Sequence, residues 1–344
     1  MNASIQFTRY LYIKDEVKLS ILISLLKKNN ESLFWAYEFY HSGFKEELWE
    51  FIWKIYYDFY ASLNPRFKKF IKENHELWKK DPTCDKIIAK VISNFGIRPW
   101  NADVFLLKEF AKRGKSDKRE NLAVLLEKKK YEAIAEIILN KNVNTDDIQI
   151  ISSYFSKKIN NSSKDQLLSD IIQMYSAKES LKMGKNLYIS DNQDISKFKT
   201  IFAHYDSSFY PYKILPIVTQ CAIDSESMLS LFHLSRDSCD DLRKIYHYNW
   251  LYYTLDTPVW ANRIQEFEGS PNHEKKDIDF EDDDDLDEFY DHFGYEPDEQ
   301  KLEVQRRNIG EIKTVITWKT ILEKNLGLFK PDDAFWKNME KISY

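Results

Sequence analysis

The sequence has little of the material from which turn-rich β-proteins and disulfide-bonded domains are built. It contains eight glycines, nine prolines and three cysteines in 344 residues. The glycines occur singly, so neither the GxxxxGK[ST] nor the GxGxxG phosphate-binding loop is present. The cysteines are odd in number and far apart, which argues against a disulfide framework and for a reducing cytosol. Nucleotide-dependent catalysis and a secreted disulfide-rich fold are therefore disfavoured.

Long apolar runs are also missing. No stretch of about 18 apolar residues appears, so we expect no membrane span and no membrane partner. The start, MNASIQFTRYLYIKDE, lacks a basic region followed by an apolar one, and we expect no signal peptide.

Charge is unevenly distributed along the chain. Residues 277–300 contain thirteen Asp and Glu and no Lys or Arg, although the whole chain carries a net charge of only -5. Residues 66–130 contain eighteen Lys and Arg against nine Asp and Glu. The sequence therefore describes a basic body with an acidic strap.

Helix boundaries are marked by capping residues, prolines and glycines. Asn64-Pro65, Asp81-Pro82 and Thr257-Pro258 each predict a helix start, and single glycines follow the periodic segments. Helices are predicted at roughly 15–28, 31–42, 45–62, 65–80, 82–94, 102–112, 118–128, 131–140, 146–158, 164–176, 211–221, 225–234, 239–254, 258–267, 297–308, 311–325 and 331–341. Short connections favour antiparallel neighbours. We predict an all-α fold of stacked antiparallel helical hairpins, solenoid-like although no clean repeat is present.

The predicted domain organisation has four parts. Residues 1–183 form an N-terminal helical-hairpin domain and residues 184–267 a second helical segment. Residues 268–300 form a disordered acidic strap, and residues 301–344 carry the C-terminal helices. Aromatic residues interleave the acids of the strap, so it could dock on a basic groove of a partner or of residues 66–130.

The aromatic stretch KEELWEFIWKIYYDFYA, residues 45–61, is apolar over most of a helix circumference. Its predicted polar strip consists of Glu47, Glu50, Lys54 and Asp58. Such a helix is covered by neighbours on both sides, so we interpret the aromatics as core and not as a cofactor site.

Metal binding and catalysis are weakly supported. The run Asp282–Asp285 lacks the spacing and the glycine of a calcium loop. Cys221, His233, Cys239 and His247 lack the paired spacing of a zinc site. We predict no metal, no cofactor, no catalytic residue and a protein that is not an enzyme, although an active site assembled from distant residues stays open.

A row of cations at helical spacing is the candidate nucleic-acid site. Such a row can follow a phosphate backbone, while the alternative is a solvated lysine face. The candidates are Lys68, Lys69, Lys72, Lys79, Lys80, Lys112, Arg113, Lys115, Lys118 and Arg119.

RYLYIKDEVKLSILISLLKKNNESLFWAYEFYHSGF, residues 9–44, with the following EELWEFIWKIYYDFYASLNP, resembles the opening of a helical protein family of nucleocytoplasmic giant DNA viruses. That family looks like the viral counterpart of the scaffold subunit of the cap-binding translation-initiation complex. The resemblance implies a helical-repeat protein whose partners are a cap-binding subunit and an RNA helicase. It covers about the first 65 residues and carries no catalytic motif.

Ligands of cap-binding subunits carry Tyr, four residues, Leu and an apolar residue on a short helix. Tyr246-His-Tyr-Asn-Trp-Leu251-Tyr252 fits this pattern, and the segment 212–218 fits it with Ile in place of Leu. Tyr246, Leu251 and Tyr252 are therefore the candidate partner-binding residues, although about one match arises by chance and the helix is typical of core.

The function predicted from these features is a non-enzymatic scaffold or adaptor of viral gene expression. It would join a cap-binding protein to an RNA helicase and touch RNA through residues 66–130. The alternative is a nucleic-acid-binding protein of viral transcription or genome packaging. The expected location is the host cytoplasm, at the viral factory, with the virion as the other location.

Overall fold

A computed structural model of the chain describes residues 6–29, 31–113, 121–140, 143–159, 163–178, 221–223, 242–293, 296–300, 302–309 and 314–316. These residues are mostly helical, which confirms the predicted all-α class. In chain order the helices are α1 (Lys14–Leu26), α2 (Glu31–His41), α3 (Lys45–Ile55), α4 (Phe67–Lys80), α5 (Asp85–Gly96), α6 (Asp103–Arg113), α7 (Leu122–Glu127), α8 (Tyr131–Asn140), α9 (Thr145–Phe155), α10 (Lys164–Lys178), α11 (Leu242–His247), α12 (Trp250–Tyr253), α13 (Pro258–Glu266), α14 (Asp283–Phe293) and α15 (Leu302–Asn308).

Short non-α elements complete the described part of the chain. A π-helical turn, Tyr56–Tyr60, continues α3, and a 3₁₀ turn spans Pro297–Glu299. Strands β2 (Ser270–Asn272) and β3 (Asp277–Asp279) form an antiparallel hairpin. Strands β1 (Cys221–Ile223) and β4 (Thr314–Ile316) pair in parallel.

Several helix boundaries in the structure differ from the predicted ones. Helix α13 begins at Pro258 as predicted, whereas α4 and α5 begin two and three residues after their prolines. The predicted helix 239–254 is broken between α11 and α12, and residues 314–316, predicted as helix, are a strand. Two predicted helices, 225–234 and 331–341, lie outside the described residues. Residues 211–220 of the predicted helix 211–221 also lie outside them.

The chain divides into two compact units that are interleaved in sequence. The first unit comprises Met1–Trp49, Trp78–Gly96 and Ile189–Phe329. The second comprises Glu50–Leu77, Ile97–Tyr188 and Lys330–Tyr344. The predicted domain 1–183 does not coincide with either unit, because Met1–Trp49 and Trp78–Gly96 belong to the same unit as Ile189–Phe329.

The carbonyl groups of the N-terminal segment Gln6–Ile13 hold it against α13. The Oγ1 of Thr257 donates to the carbonyl of Phe7 at 2.6 Å, and the indole nitrogen of Trp260 donates to the carbonyl of Thr8 at 3.3 Å. Thr257 therefore uses its hydroxyl on the N-terminal segment, and the structure shows no side-chain capping bond from it to α13.

The next two residues of this segment connect it to α2 and to the 3₁₀ turn. The amide of Arg9 donates to the hydroxyl of Ser42 at 2.8 Å, and the amide of Tyr10 donates to the Glu38 carboxylate at 3.0 Å. The Nε2 of Gln300 donates to the carbonyl of Tyr10 at 2.6 Å. Backbone groups that would be costly to bury unpaired are thus satisfied by distant side chains.

The predicted disorder of residues 268–300 is wrong over the residues that the structure describes there, 268–293 and 296–300. They contain β2, β3, α14 and the 3₁₀ turn. Phe289 of α14 is 1% exposed and its ring lies 5.7 Å from that of Phe267 and 5.2 Å from that of Phe280. The segment is ordered because these aromatic side chains bury one another. The acids in the first turn of α14 also interact favourably with the helix dipole.

The core of the second unit is formed by α6 to α10. Its buried side chains are Val104, Leu107, Leu122, Leu125, Leu126, Tyr131, Ile134, Ala135, Ile138, Ile151, Leu167, Leu168, Ile171, Ile172 and Met174. Helix α6 packs on α8, on the π-helical turn and on α10. These contacts position the π-helical turn and α10, which carry the residues of the candidate site.

Substitution of Gly43 tests the packing of the first unit. It has a φ of +96°, and a Cβ there would come within 2.5 Å of the Pro258 Cβ. We expect Gly43→Ala to lower the free energy of unfolding by roughly 2 kcal/mol or more, since left-handed strain costs about 1–2 kcal/mol and overpacking about 1–3 kcal/mol. Denaturant unfolding followed by circular dichroism measures the change.

Gly96→Ala is the matched control. Gly96 ends α5, and a Cβ added to it would meet no heavy atom within 4 Å. Since a compatible Gly→Ala change reduces the entropy of the unfolded chain, we expect a neutral or slightly stabilising effect. Equal losses for the two variants would contradict the close packing of Gly43 on Pro258.

Candidate nucleic-acid interface

Helix α4 is amphipathic, with its cations on the side away from the core. Phe67, Phe70 and Ile71 are buried, whereas Lys69 and Lys72 are exposed. The Lys69 ammonium lies 3.7 Å from the Glu73 carboxylate, with 83% of the Lys69 side chain exposed. An exposed pair of this kind contributes little stability, so it leaves the lysine able to bind an anion.

Lys68 is half-buried and differs from its neighbours. Its ammonium lies 5.9 Å from the centre of the Tyr57 ring. Burial lowers the pKa of Lys68, and the carboxylate of Asp170 on α10 opposes this. Burial in turn raises the pKa of Asp170, against the attraction of Lys68 and Lys157. Lys68 therefore sits at the rim of the core with a carboxylate partner.

Lys157, at the end of α9, extends the positive charge beyond the segment predicted from sequence. It is exposed, and its ammonium lies 3.4 Å from the Gln173 side-chain oxygen. Its charge acts on Asp170, as that of Lys68 does. We call Lys68, Lys69, Lys72 and Lys157 the basic surface. Lys157 was missed because it lies outside the densest run of cations in the sequence.

Two aromatic residues of the second unit lie beside the basic surface. Trp53 and Tyr57 are one helical turn apart, their planes differ by 23° and their ring centres are 5.9 Å apart. The Trp53 indole nitrogen donates to Nδ1 of His75 at 3.0 Å. Both Trp53 and Tyr57 are half-buried, whereas Ile52 and Tyr56 beside them are buried. This pair lies at the edge of the core.

The remaining predicted cations are not all brought to this surface. Lys79 and Lys80 are exposed at the end of α4, in the part of that helix that belongs to the first unit. Lys112 and Arg113 end α6, but the positions of their side chains are not described. Lys115, Lys118 and Arg119 lie outside the described residues.

A buried charge cluster lies beneath this part of the second unit. The Lys108 ammonium on α6 donates to the carboxylate of Asp58 on the π-helical turn and, at 2.6 Å, to that of Asp165 on α10. Lys108 and Asp58 are almost fully buried, and Asp165 reaches solvent. The sequence placed Asp58 on a polar strip, and this was wrong because Asp58 faces the interior in the π-helical turn.

Burial and charge act in opposite directions in this cluster. Burial disfavours the charged form of Lys108, but the carboxylates of Asp58 and Asp165 outweigh it and raise the Lys108 pKa. Burial is also the largest influence on Asp58 and raises its pKa, while Lys108 opposes the change. Lys108 is thus a fixed cation, and it is suited to holding elements together and not to exchanging protons.

The predicted partner motif is largely core. Tyr246 is 1% exposed and Leu251 is 5% exposed, and Tyr252 is half-buried beside His273. The Tyr246 hydroxyl donates to the side chain of Gln300. Tyr246, Leu251 and Tyr252 therefore do not form an exposed docking surface, because the spacing that fits the motif is also the spacing of buried positions. The related segment 212–218 lies outside the described residues.

Neither a metal cluster nor a membrane span is found in the part of the chain that the structure describes. No group of three or more His, Cys, Asp or Glu residues there is arranged to hold a metal ion. No described helix is both long enough and apolar enough to cross a membrane. His233 and Cys239 of the candidate zinc set lie outside the described residues.

Comparison of the chain with protein-family models, with curated proteins and with solved structures finds no match.

Replacement of Lys108 by Met tests the buried charge cluster. Asp58 would be left buried without a counter-ion, and breaking such a pair costs about 3–5 kcal/mol. We expect the free energy of unfolding to fall by about that amount. Lys108 opposes the rise that burial causes in the pKa of Asp58, so this pKa is higher still in the folded variant. The folded variant therefore gains more stability from protonation of Asp58 than wild type does, and the deficit shrinks as the pH is lowered from 7 toward about 4.

Lys68→Met and the double variant Lys108→Met/Asp58→Asn are the controls. Lys68 is half-buried and should lose about 1 kcal/mol or less. The double variant removes both charges and should recover part of the stability lost by Lys108→Met. A small, pH-independent loss for Lys108→Met in urea unfolding would show that the cluster does not hold this unit together.

Proposed function

We propose that this protein is a non-catalytic nucleic-acid-binding protein that contacts the phosphate backbone through the basic surface. One observation carries the proposal: Lys69 and Lys72 are exposed on one side of α4, whose other side is anchored in the core. Cations on a rigid helix can neutralise several phosphates without reordering the chain, and release of the condensed counterions then favours binding.

The geometry supports this function better than the docking of a cap-binding subunit, because Tyr246 and Leu251 of the candidate docking residues are buried. Lys157 adds a cation from just beyond the end of α9, so the basic surface is not confined to one helix. Asp170 lies among these cations and lowers the local charge, which argues for a strand that follows the lysines and avoids the carboxylate. The narrower role, in viral transcription or genome packaging in the host cytoplasm, rests on the resemblance of residues 9–65.

Removal of two exposed lysines tests this proposal. We expect Lys69→Gln/Lys72→Gln to weaken binding of a fluorescent single-stranded RNA in about 50 mM salt, and to reduce the slope of log affinity against log salt by about 1.4, since each single-strand phosphate contact contributes about 0.7. Fluorescence anisotropy over a salt series measures both quantities.

Lys128→Gln/Lys129→Gln is the matched control, because it removes the same charge from two exposed lysines at the end of α7. We expect it to change neither the affinity nor the slope by more than the screened long-range effect of two charges. If the two double variants behave alike, binding reflects net charge and not the basic surface.

A scaffold function is the second candidate, and exposed apolar groups on the first unit favour it. Tyr248 is 71% exposed and Leu302 is 65% exposed. The 3₁₀ turn Pro297–Glu299 packs on α11, which precedes Tyr248, and on α15, which begins with Leu302. Exposed apolar side chains that gather in one patch mark protein-binding surfaces, and these two belong to, or directly follow, helices that both contact the 3₁₀ turn carrying Asp298. The resemblance implies a cap-binding subunit and an RNA helicase as the partners.

Tyr248→Ser/Leu302→Ser tests the scaffold function. From infected cells we expect the tagged wild-type protein to recover the two implied partners with and without nuclease, and the variant to lose at least one of them, since both apolar contacts are removed. Mass spectrometry of the purified samples measures recovery. Leu77→Ser/Ile97→Ser, which removes two other exposed apolar side chains, is the control and should keep both partners.

A further inference from the structure

The aromatic pair Trp53 and Tyr57 is not explained by core packing alone. The sequence of α3 and the π-helical turn buries Ile52 and Tyr56 almost completely, but leaves these two rings half-buried. Their ring planes are nearly parallel, and the Lys68 ammonium lies 5.9 Å from the centre of the Tyr57 ring. A large aromatic pair that stays partly in water beside cations is the combination found at surfaces that bind unpaired bases.

We propose that Trp53 and Tyr57 stack with the bases of a single-stranded nucleic acid whose phosphates lie along the basic surface. The inference deepens the proposed function and rests on it. Lysines at i+1 and i+4 of Lys68 supply the phosphate contacts, while the rings supply a contact that every base can make. Aromatic side chains cannot reach bases that are stacked and paired inside a duplex, so the ligand class is a single strand.

The surrounding charges limit where the backbone of the proposed nucleic-acid strand can pass. Glu50, which is exposed, lies one turn before Trp53. Its carboxylate repels phosphate, whereas the basic surface attracts it. The backbone should therefore pass on the Tyr57 and Lys68 side of the pair. His75 holds the Trp53 indole through the hydrogen bond to Nδ1, which fixes the ring before any base arrives.

A strand without bases separates stacking from phosphate binding. We compare a ten-nucleotide oligoadenylate, its abasic counterpart and a duplex of the same length, each with a fluorescent label. Tyr57→Leu keeps an apolar side chain but removes the ring, and loss of one stacked base contact corresponds to a roughly five- to 140-fold loss of affinity. We expect this loss for the oligoadenylate alone, and we expect Tyr57→Phe to restore binding because it keeps the ring.

The lysine variants act as the reference in the same assay. Lys69→Gln/Lys72→Gln should weaken binding of the oligoadenylate and the abasic strand alike. If those variants weaken binding while Tyr57→Leu does not, the stacking inference is overturned and the proposed function stands. An equal loss for the duplex and the single strand would also overturn it. Absence of binding to every probe would overturn the proposed function and the inference with it.

Crosslinking of the wild-type protein covers the case in which Tyr57→Leu fails to fold. A single-stranded oligonucleotide carrying 4-thiouridine is irradiated on the full chain, and the modified peptides are identified by mass spectrometry. We expect crosslinks at Trp53 or Tyr57. Crosslinks confined to peptides that lack both residues would contradict the proposed stack.

Discussion

The positive charge of Lys108 is the constraint on which the second unit depends. Its ammonium is shared by Asp58 on the π-helical turn and Asp165 on α10, so three elements meet at one interior cation. Removing Lys108 would leave the buried Asp58 carboxylate without a counter-ion in a medium of low dielectric, which costs several kcal/mol. Tyr57 precedes Asp58, and Asp170 lies on the same helix as Asp165. The elements that the cluster joins therefore also carry Tyr57 of the aromatic pair and Asp170, whose charge acts on Lys68.

The helix that is so rich in aromatics ends in a π-helical turn and carries both a buried charge and partly exposed rings. A π-helical turn accommodates an extra residue without breaking the helix. Asp58 lies in this turn and is buried, where its carboxylate meets Lys108 of α6. No sequence period announces such a turn, because its stabilising partner, Lys108, is fifty residues away along the chain. The helix itself could be predicted from the sequence, whereas the burial of Asp58 could not.

The same distinction between local and long-range contacts runs through the first unit. Local patterns predicted the start of α13 at Pro258 and the end of α2 before Gly43. They could not predict that residues 7–10 bind Thr257, Trp260 and Gln300, about 250 to 290 positions away, or that this contact interleaves the two units in sequence. The composition of the acid-rich segment also led to a wrong prediction. Residues 277–300 resemble a disordered segment by charge, yet Phe289 contributes enough buried aromatic surface to order α14.

The same distinction applies to the candidate sites. The spacing of charged and aromatic residues can be read from the local sequence, whereas the exposure of each side chain depends on contacts with residues that are distant in sequence. Of the predicted cations on α4, Lys68, Lys69 and Lys72 lie on the basic surface, while Lys79 and Lys80 lie in the part of the helix that belongs to the first unit. Tyr246 and Leu251 satisfied a spacing rule that a buried helix satisfies equally well, and the outward-facing residue of that segment is Tyr248. Trp53 and Tyr57 were assigned to the core with their neighbours, since aromatic content alone does not distinguish a buried ring from one at the rim. What singles them out is that they stay partly exposed next to Lys68, where complete burial would serve packing better. Incomplete burial beside a cation is what a base-stacking surface requires, and the fold provides it without an added loop or insertion.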